Sequence, residues 1–176
     1  LHEEAVFPVR DAGIPLVIKN TNAPEDPGTI ISETAKEGDA EPIITGIAGK
    51  RDFLAINVSR DRTKSRIGFM RRALSVFERY GVSVEHMPTG VDQFAAVVQA
   101  ADVKDSLYSL ISDIQEEVEP LEIEVVEDLA LIATVGRNLS GRAGISGHLF
   151  GKLGEAGVSV RMITQGCDEI NIIIGV

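Results

Sequence analysis

The sequence predicts an α+β fold made of two copies of one sheet-and-helix unit. Three observations carry that expectation: a phrase written twice, the same order of patterns around each copy, and an unattached apolar stretch upstream. Residues 81–98 read GVSVEHMPTGVDQFAAVV and residues 157–174 read GVSVRMITQGCDEINIII, a constant offset of 76 residues. At that offset Ile56 falls on Ile132, Arg66 on Arg142, Gly68 on Gly144, Gly81 on Gly157, Gly90 on Gly166 and Asp92 on Asp168. A repeat of this length is a duplicated domain rather than a short solenoid repeat.

The first copy opens with FLAINV at 53–58, a short apolar run of strand type. A polar, glycine-containing turn, SRDRTKSRIG, follows at 59–68. Phe69, Met70, Ala73, Leu74, Phe77 and Tyr80 then recur at helical spacing, with Arg71, Arg72, Glu78 and Arg79 opposite. Gly81 supplies the stop. Val82–Met87 and Phe94–Ala100 read as strands around a turn at Pro88-Thr89-Gly90. Asp102 is placed as an N-cap, ahead of a stripe of Val103, Leu107, Leu110, Ile111 and Ile114, with Asp105 in the positive first turn. Leu121–Val126 is the last strand. The order β-α-β-β-α-β is the ferredoxin-like split βαβ unit.

The second copy runs through Leu129–Val135, a helix at Ala143–Ala156, Val158–Thr164 and Glu169–Gly175, and lacks the second helix and last strand. The apolar stretch at 43–48 has no place in the first copy. It is expected to complete the sheet of the second and so interlock the two. Gly144, Gly147, Gly151 and Gly154 lie along one side of the second copy's helix, at a cost of about 1 kcal/mol each relative to Ala. Close approach of another backbone is the expected compensation. The polar residues 33–42 read as a linker.

Composition narrows the function. Apolar residues make up 44% of the 176, enough for a packed core, and the net charge of −10 argues against a nucleic-acid surface. The single cysteine, Cys167, cannot pair within the chain, and three scattered histidines give no metal-ligand spacing, so neither a disulfide framework nor a metal site is expected. A reducing, cytoplasmic setting is the simplest expectation. No apolar run approaches a membrane span and no leader opens the chain.

LHEEAVFPVRDAGIPL at 1–16, KNTNAPEDPGTII at 19–31, ITGIAG at 44–49, SRIGFMRRALSVFERYGVSVEHMPTGVD at 65–92, IEVVEDLALIATVGRNL at 123–139 and VSVRMITQGCDEINIIIGV at 158–176 together resemble the regulatory half of the aspartate kinases. That half carries two ACT domains, and the resemblance runs in family order over nearly the whole chain. It implies that residues 1–32 are the closing edge of the kinase lobe, 33–42 a linker, 53–127 the first ACT domain, and 43–48 with 129–176 the second. ATP and Mg²⁺ would serve the parent kinase through a catalytic lobe upstream of Leu1, and a final helix would follow Val176. This fragment, with no catalytic residues of its own, would bind an end-product amino acid and report it to that lobe. A homodimer through the ACT domains is implied.

An amino acid needs aimed N–H donors for its carboxylate and an anion for its ammonium. Ser65-Arg66-Ile67-Gly68-Phe69-Met70 opens a helix whose free amides and dipole favour an anion, and Gly68 permits close approach. Glu85 and Asp92 are candidates for the ammonium groups. Thr63, Thr89 and the backbone of Val91 are neutral contacts. Two acids suit lysine; threonine needs one, with a hydroxyl partner such as Thr89. In the second copy Arg161 replaces Glu85, so the first copy is expected to sense and the second to pair or brace. Simpler readings stand beside these: Glu85 as a solvated strand residue, Asp92 as a turn stabiliser, Ser65 as a plain N-cap, Arg66 as an exposed charge. Two rival functions are a ligand-free dimerisation module and an acylphosphatase-like enzyme using Arg66 and Arg142. Flanking acids weaken the second, because they would repel phosphate if they faced the pocket.

Overall fold

The computed structural model describes residues 6–32, 44–136, 139, 143–166 and 170–176. It divides into two units, residues 1–41 and 42–176. In the first unit, α1 (Val6–Asp11) precedes an antiparallel hairpin of β1 (Leu16–Ile18) and β2 (Thr29–Ile31). Gly28, at φ 73°, lies where an added Cβ would stand 2.3 Å from the Ile18 carbonyl oxygen. Only glycine permits both the left-handed backbone and that approach. Phe7, Ile14, Val17, Ile18, Ile30 and Ile31 are all exposed, so this unit buries little apolar surface of its own.

The second unit contains β3 (Gly46–Ser59), α2 (Phe69–Arg79), β4 (Gln93–Gln99), α3 (Ala100–Val103), α4 (Leu107–Val118), β5 (Glu122–Val135), α5 (Ile145–Glu155), β6 (Met162–Thr164) and β7 (Asn171–Gly175). Its strands form one antiparallel sheet in the order β4-β3-β5-β7-β6. The stretches at 43–48 and 53–58 that the sequence separates are largely one 14-residue strand, β3. Likewise 121–126 and 129–135 merge into β5. Gly46–Lys50 pairs with Leu131–Val135, and Phe53–Ser59 with both β4 and the first half of β5. The register shifts between Lys50 and Ala55, next to Asp52 and Asp128, which take φ of 65° and 56°. Two facing bulges thus let one pair of strands serve both copies of the repeat.

Alternation along β3 sends Leu54, Ile56 and Val58 into a core with Ala73, Val76 and Phe77 of α2, Leu110 and Ile114 of α4, and Phe94 and Val98 of β4. Phe53 and Ala55 fall into another cluster with Val97 and Leu129. The helix over 69–79 stops as its glycine predicts. Gly81 at φ 66° donates to Glu78 O at 3.0 Å and Val82 N to Phe77 O at 3.0 Å, a Schellman closure.

Four local expectations are corrected. Val82–Met87 is not a strand: Glu85 N and His86 N both turn to the Val97 carbonyl, at 2.9 and 3.4 Å, which spoils a one-to-one ladder and leaves isolated bridges at His86 and Thr89. Asp102 lies inside α3, and α4 takes Ser106 as its N-cap, so Asp105 precedes the helix rather than sitting in its first turn. Of the predicted strand at 158–164 only Met162–Thr164 pairs. Among the described residues of this one chain the glycine stripe of α5 meets no close backbone, since a Cβ at Gly144, Gly147, Gly151 or Gly154 would find nothing there within 4 Å.

Candidate functional site

The loop from β3 to α2 is built by short polar contacts. Asp61 accepts from Thr63 N at 2.9 Å and Thr63 Oγ1 at 2.7 Å, and these hydrogen bonds hold its carboxyl below the usual range. Arg60 N donates to Asp92 O at 2.7 Å, and an Arg60 guanidinium N–H donates to Lys64 O at 2.8 Å. Ser65 Oγ accepts from Ile67 N at 3.2 Å. The loop enters α2 through Gly68, the N-cap residue, at φ 75° and with no side-chain cap. First-turn amides of an α-helix have no partner within the helix; here Phe69 N donates back to Arg66 O at 3.3 Å, which leaves the Met70 and Arg71 amides as the donors this end can offer.

A cavity of about 320 Å³ opens at that helix start, lined by Arg60, Arg66, Gly68, Phe69, Met70, Arg71, Val91, Asp92 and Gln93. Phe69 forms its floor, buried edge-to-face on Phe94 with ring centroids 5.6 Å apart. A neighbouring cavity shares Arg60, Val91, Asp92 and Gln93 and adds Ser59, Asp61, Arg62, Gly90 and Leu121.

Six of the eleven predicted effector residues therefore meet in one cavity: Arg66, Gly68, Phe69, Met70, Val91 and Asp92. The other five do not line it. Thr63 is engaged with Asp61 and Ser65 with the Ile67 amide, so Ser65 stabilises the turn ahead of the helix and Gly68, not Ser65, is the N-cap. Ile67 is 87% exposed. Thr89 lines a different cavity of about 400 Å³, which also takes in Asn57, Gln93, Val126, Arg161 and Met162. Glu85 is exposed and pairs through its backbone with Val97, four residues along β4 from Gln93. At about 3.3 Å per strand residue, that is about 13 Å from the cavity rim.

Asp92 is inside the site but already engaged. One carboxylate oxygen meets the Arg60 guanidinium at 2.5 Å and the other the Arg62 Nε at 2.8 Å. The Arg60 hydrogen bond, with the charge of Arg62, holds its carboxyl below the ordinary range. The acid offered to an ammonium is thus neutralised by two arginines, the turn-stabilising reading. Sequence reasoning missed Arg60, Arg62, Arg71 and Gln93. The signal was present: RDRTKSRIGFMRR at 60–72 holds six cations and one acid in a chain of net charge −10.

Arg142 and Asp168 of the second copy lie outside the described residues. Arg161 donates to the Glu127 carbonyl at 3.3 Å, so its charge serves the junction of the two strand halves. Among the described residues no group of three or more His, Cys, Asp or Glu could hold a metal ion, and no helix is long and apolar enough to cross a membrane.

A split βαβ architecture with a glycine-entered helix facing a tight strand turn defines an ACT-type regulatory module, and the ACT domain family model matches residues 132–176. The chain belongs to the ACT-containing regulatory regions of the aspartate kinases. It is 35% identical to aspartokinase 3 of Bacillus subtilis over 99% of its own length and 38% of that protein's. The crystal structure of Clostridium acetobutylicum aspartate kinase, described as an allosteric enzyme, superposes with a TM-score of 0.91 at 44% identity, over 100% of this chain and 41% of that one. Escherichia coli aspartokinase III, solved in complex with lysine and aspartate, shares the fold with a TM-score of 0.76 at 24% identity, over 100% of this chain and 38% of that one. The chain spans less than half the length of each.

Proposed function

We propose that this chain is the feedback-sensing part of an aspartate kinase, binding an end-product amino acid at the start of α2 and controlling ATP- and Mg²⁺-dependent phosphorylation of aspartate by a catalytic lobe elsewhere in the full-length protein. A cytoplasmic setting and a homodimer belong to the same proposal. The observation that carries it is the uncapped, glycine-entered start of α2 beneath Val91–Gln93, in a cavity at the small end of ligand-sized clefts. The α-carboxylate sits against the first-turn amides and the helix dipole.

Lysine and threonine are the candidates. The two-acid argument for lysine does not hold within one chain, because Asp92 is clasped by two arginines and Glu85 stands apart. Lysine, with two ammonium groups, and threonine, with one, therefore both need an acid from a second copy, which ties sensing of either to dimerisation. Feedback requires the effector to bind the inhibited arrangement more tightly than the active one. Calorimetry of the chain against lysine, threonine, methionine and aspartate tests the reading. Saturable binding of lysine or threonine that weakens in Met70→Trp, which fills the cavity, is expected. No heat with any of the four would remove the sensor reading and leave the ligand-free dimerisation module.

A further inference from the structure

We propose that the cleft between β6 and the sheet face turned away from α2 and α4 binds a small aliphatic monocarboxylate, its anion on Arg161 and its tail against Ala55, Ala95 and Met162. This cleft shares only Gln93 with the cavity at the start of α2, and the inference does not rest on the amino-acid reading of that cavity.

The cleft follows from strand register. Leu54, Ile56 and Val58 pack with α2 and α4, so Ala55 and Asn57 face the other way. Their partners on β4 are Val97 and Ala95, and Ala55 stands opposite Val126 on β5. Among the described residues no helix joins the cluster on this side, which closes instead on Met162 of β6, packed with Phe53, Ala55, Val97 and Leu129. Gly175 makes room for that side chain, since a Cβ there would stand 2.5 Å from Met162 Cγ. Next to Met162 the side chains of β3 and β4 shrink to alanine. Ala55 and Ala95, with Asn57, leave a depression of about 400 Å³ that is also walled by Arg161, Met162 and Ile163. That volume suits a small organic molecule.

Charge selects the occupant. Among the described residues Arg161 is the one charged side chain lining the cleft. One of its N–H groups donates to the Glu127 carbonyl at 3.3 Å, which tethers the guanidinium at the rim, and among the described residues it meets no carboxylate. Glu124, opposite Asn57 in the register, does not line the cleft and accepts from Asn57 Nδ2 at 3.3 Å. A single unanswered guanidinium beside an apolar floor fits one carboxylate on an aliphatic tail. A second anion on the ligand would lack a cation, and an ammonium would lack an acid in the lining. The first repeat has Glu85 at the position of Arg161, so this cation is particular to the second. The inference is of binding and requires no bond to break.

The chain holds three methionines, Met70, Met87 and Met162, so NMR of methyl-labelled methionine reads the cleft through Met162 and the α2 cavity through Met70. Isovalerate is the probe. Acetate lacks the tail, isoamyl alcohol lacks the charge, and valine adds an α-ammonium. Isovalerate should shift the Met162 signal saturably, at least tenfold more tightly than acetate or isoamyl alcohol, and leave Met70 in place. Arg161→Gln should weaken that binding about tenfold, as loss of one charge-assisted hydrogen bond implies. Ala95→Val, which suits a strand and narrows the floor, should weaken it several-fold. Thermal melts matching the parent chain confirm that each variant folds. Valine binding as tightly as isovalerate also supports the site and identifies an amino acid as the source, whereas weaker valine binding identifies a simple carboxylate. No Met162 response to isovalerate or valine overturns the proposal, as does equal binding of isoamyl alcohol, or an affinity unchanged in either folded variant. A response at Met70 alone also overturns it and leaves the α2 reading standing.

Discussion

Gly68→Ala separates the backbone role of the α2 entrance from its steric role. Gly68 takes φ 75° and ψ 3°, a region that costs a non-glycine residue about 1–2 kcal/mol. The added Cβ meets only Arg72 Nη1, at 3.4 Å, the far end of a flexible side chain, so no clash adds to that cost. Stiffening the unfolded chain returns about 0.4–1 kcal/mol. The net loss is then about 0.5–1.5 kcal/mol, or a fall in Tm of about 2–5 °C for a chain of this size. Gly81→Ala is the matched control, at φ 66° with nothing within 4 Å of its Cβ, and should lose a similar amount. Urea and thermal melts followed by far-UV circular dichroism measure both. Ligand titration then divides them: the methyl at position 68 enters the cavity and should weaken binding several-fold, while the one at 81 should not. A loss above about 3 kcal/mol for Gly68→Ala alone would show a contact at the helix start that the structure lacks. Equal ligand affinities in the two variants would refute the placement of the ligand there.

Three further outcomes follow from the same structure. Phe77→Ala removes a side chain 1% exposed between α2 and the sheet and should cost about 3–5 kcal/mol, read from urea melts. Asp128→Gly relieves a left-handed backbone at φ 56° and should be neutral or stabilising by up to about 1 kcal/mol, where a β-branched residue at the same position should destabilise; thermal melts decide. Asp92 has a folded-state pKa below the ordinary 3.8, so the stabilisation from its arginine pairs is present above that value and lost as pH falls through the folded one. Melts between pH 2 and 5 should show this acid-side loss, and Asp92→Asn should flatten it.

The duplication, the α+β class, the α2 helix and its glycine stop were legible because each rests on spacing or on a residue with a narrow backbone preference. Phe69, Ala73 and Phe77 lie on the buried face that their spacing predicts, joined by Val76, which the predicted stripe left out. Much of the site was legible for the same reason, since Gly68, Phe69 and Met70 sit at a helix start that the chain itself marks. The strand at 82–87 was misread because alternation records which side chains face inward, and says nothing of whether two amides will share one carbonyl. The pairing of Asp92 with two arginines, and the distance of Glu85 from the cavity, were not legible because an acid in the sequence carries no sign of its partners. Arg60 and Arg62 are next to Asp92 only because β3 and β4 pair antiparallel, with Ser59 opposite Gln93.

By itself the sequence determined the repeated unit, many of its core-facing residues and a glycine-entered helix start, because these depend on local periodicity and on glycine. Only the tertiary structure decided that four predicted strands are two long ones shared between the copies of the repeat, and that one acid is clasped while the other stands apart. Strand pairing brings residues tens of positions apart into contact, and charge balance in a cavity is settled by those contacts rather than by composition.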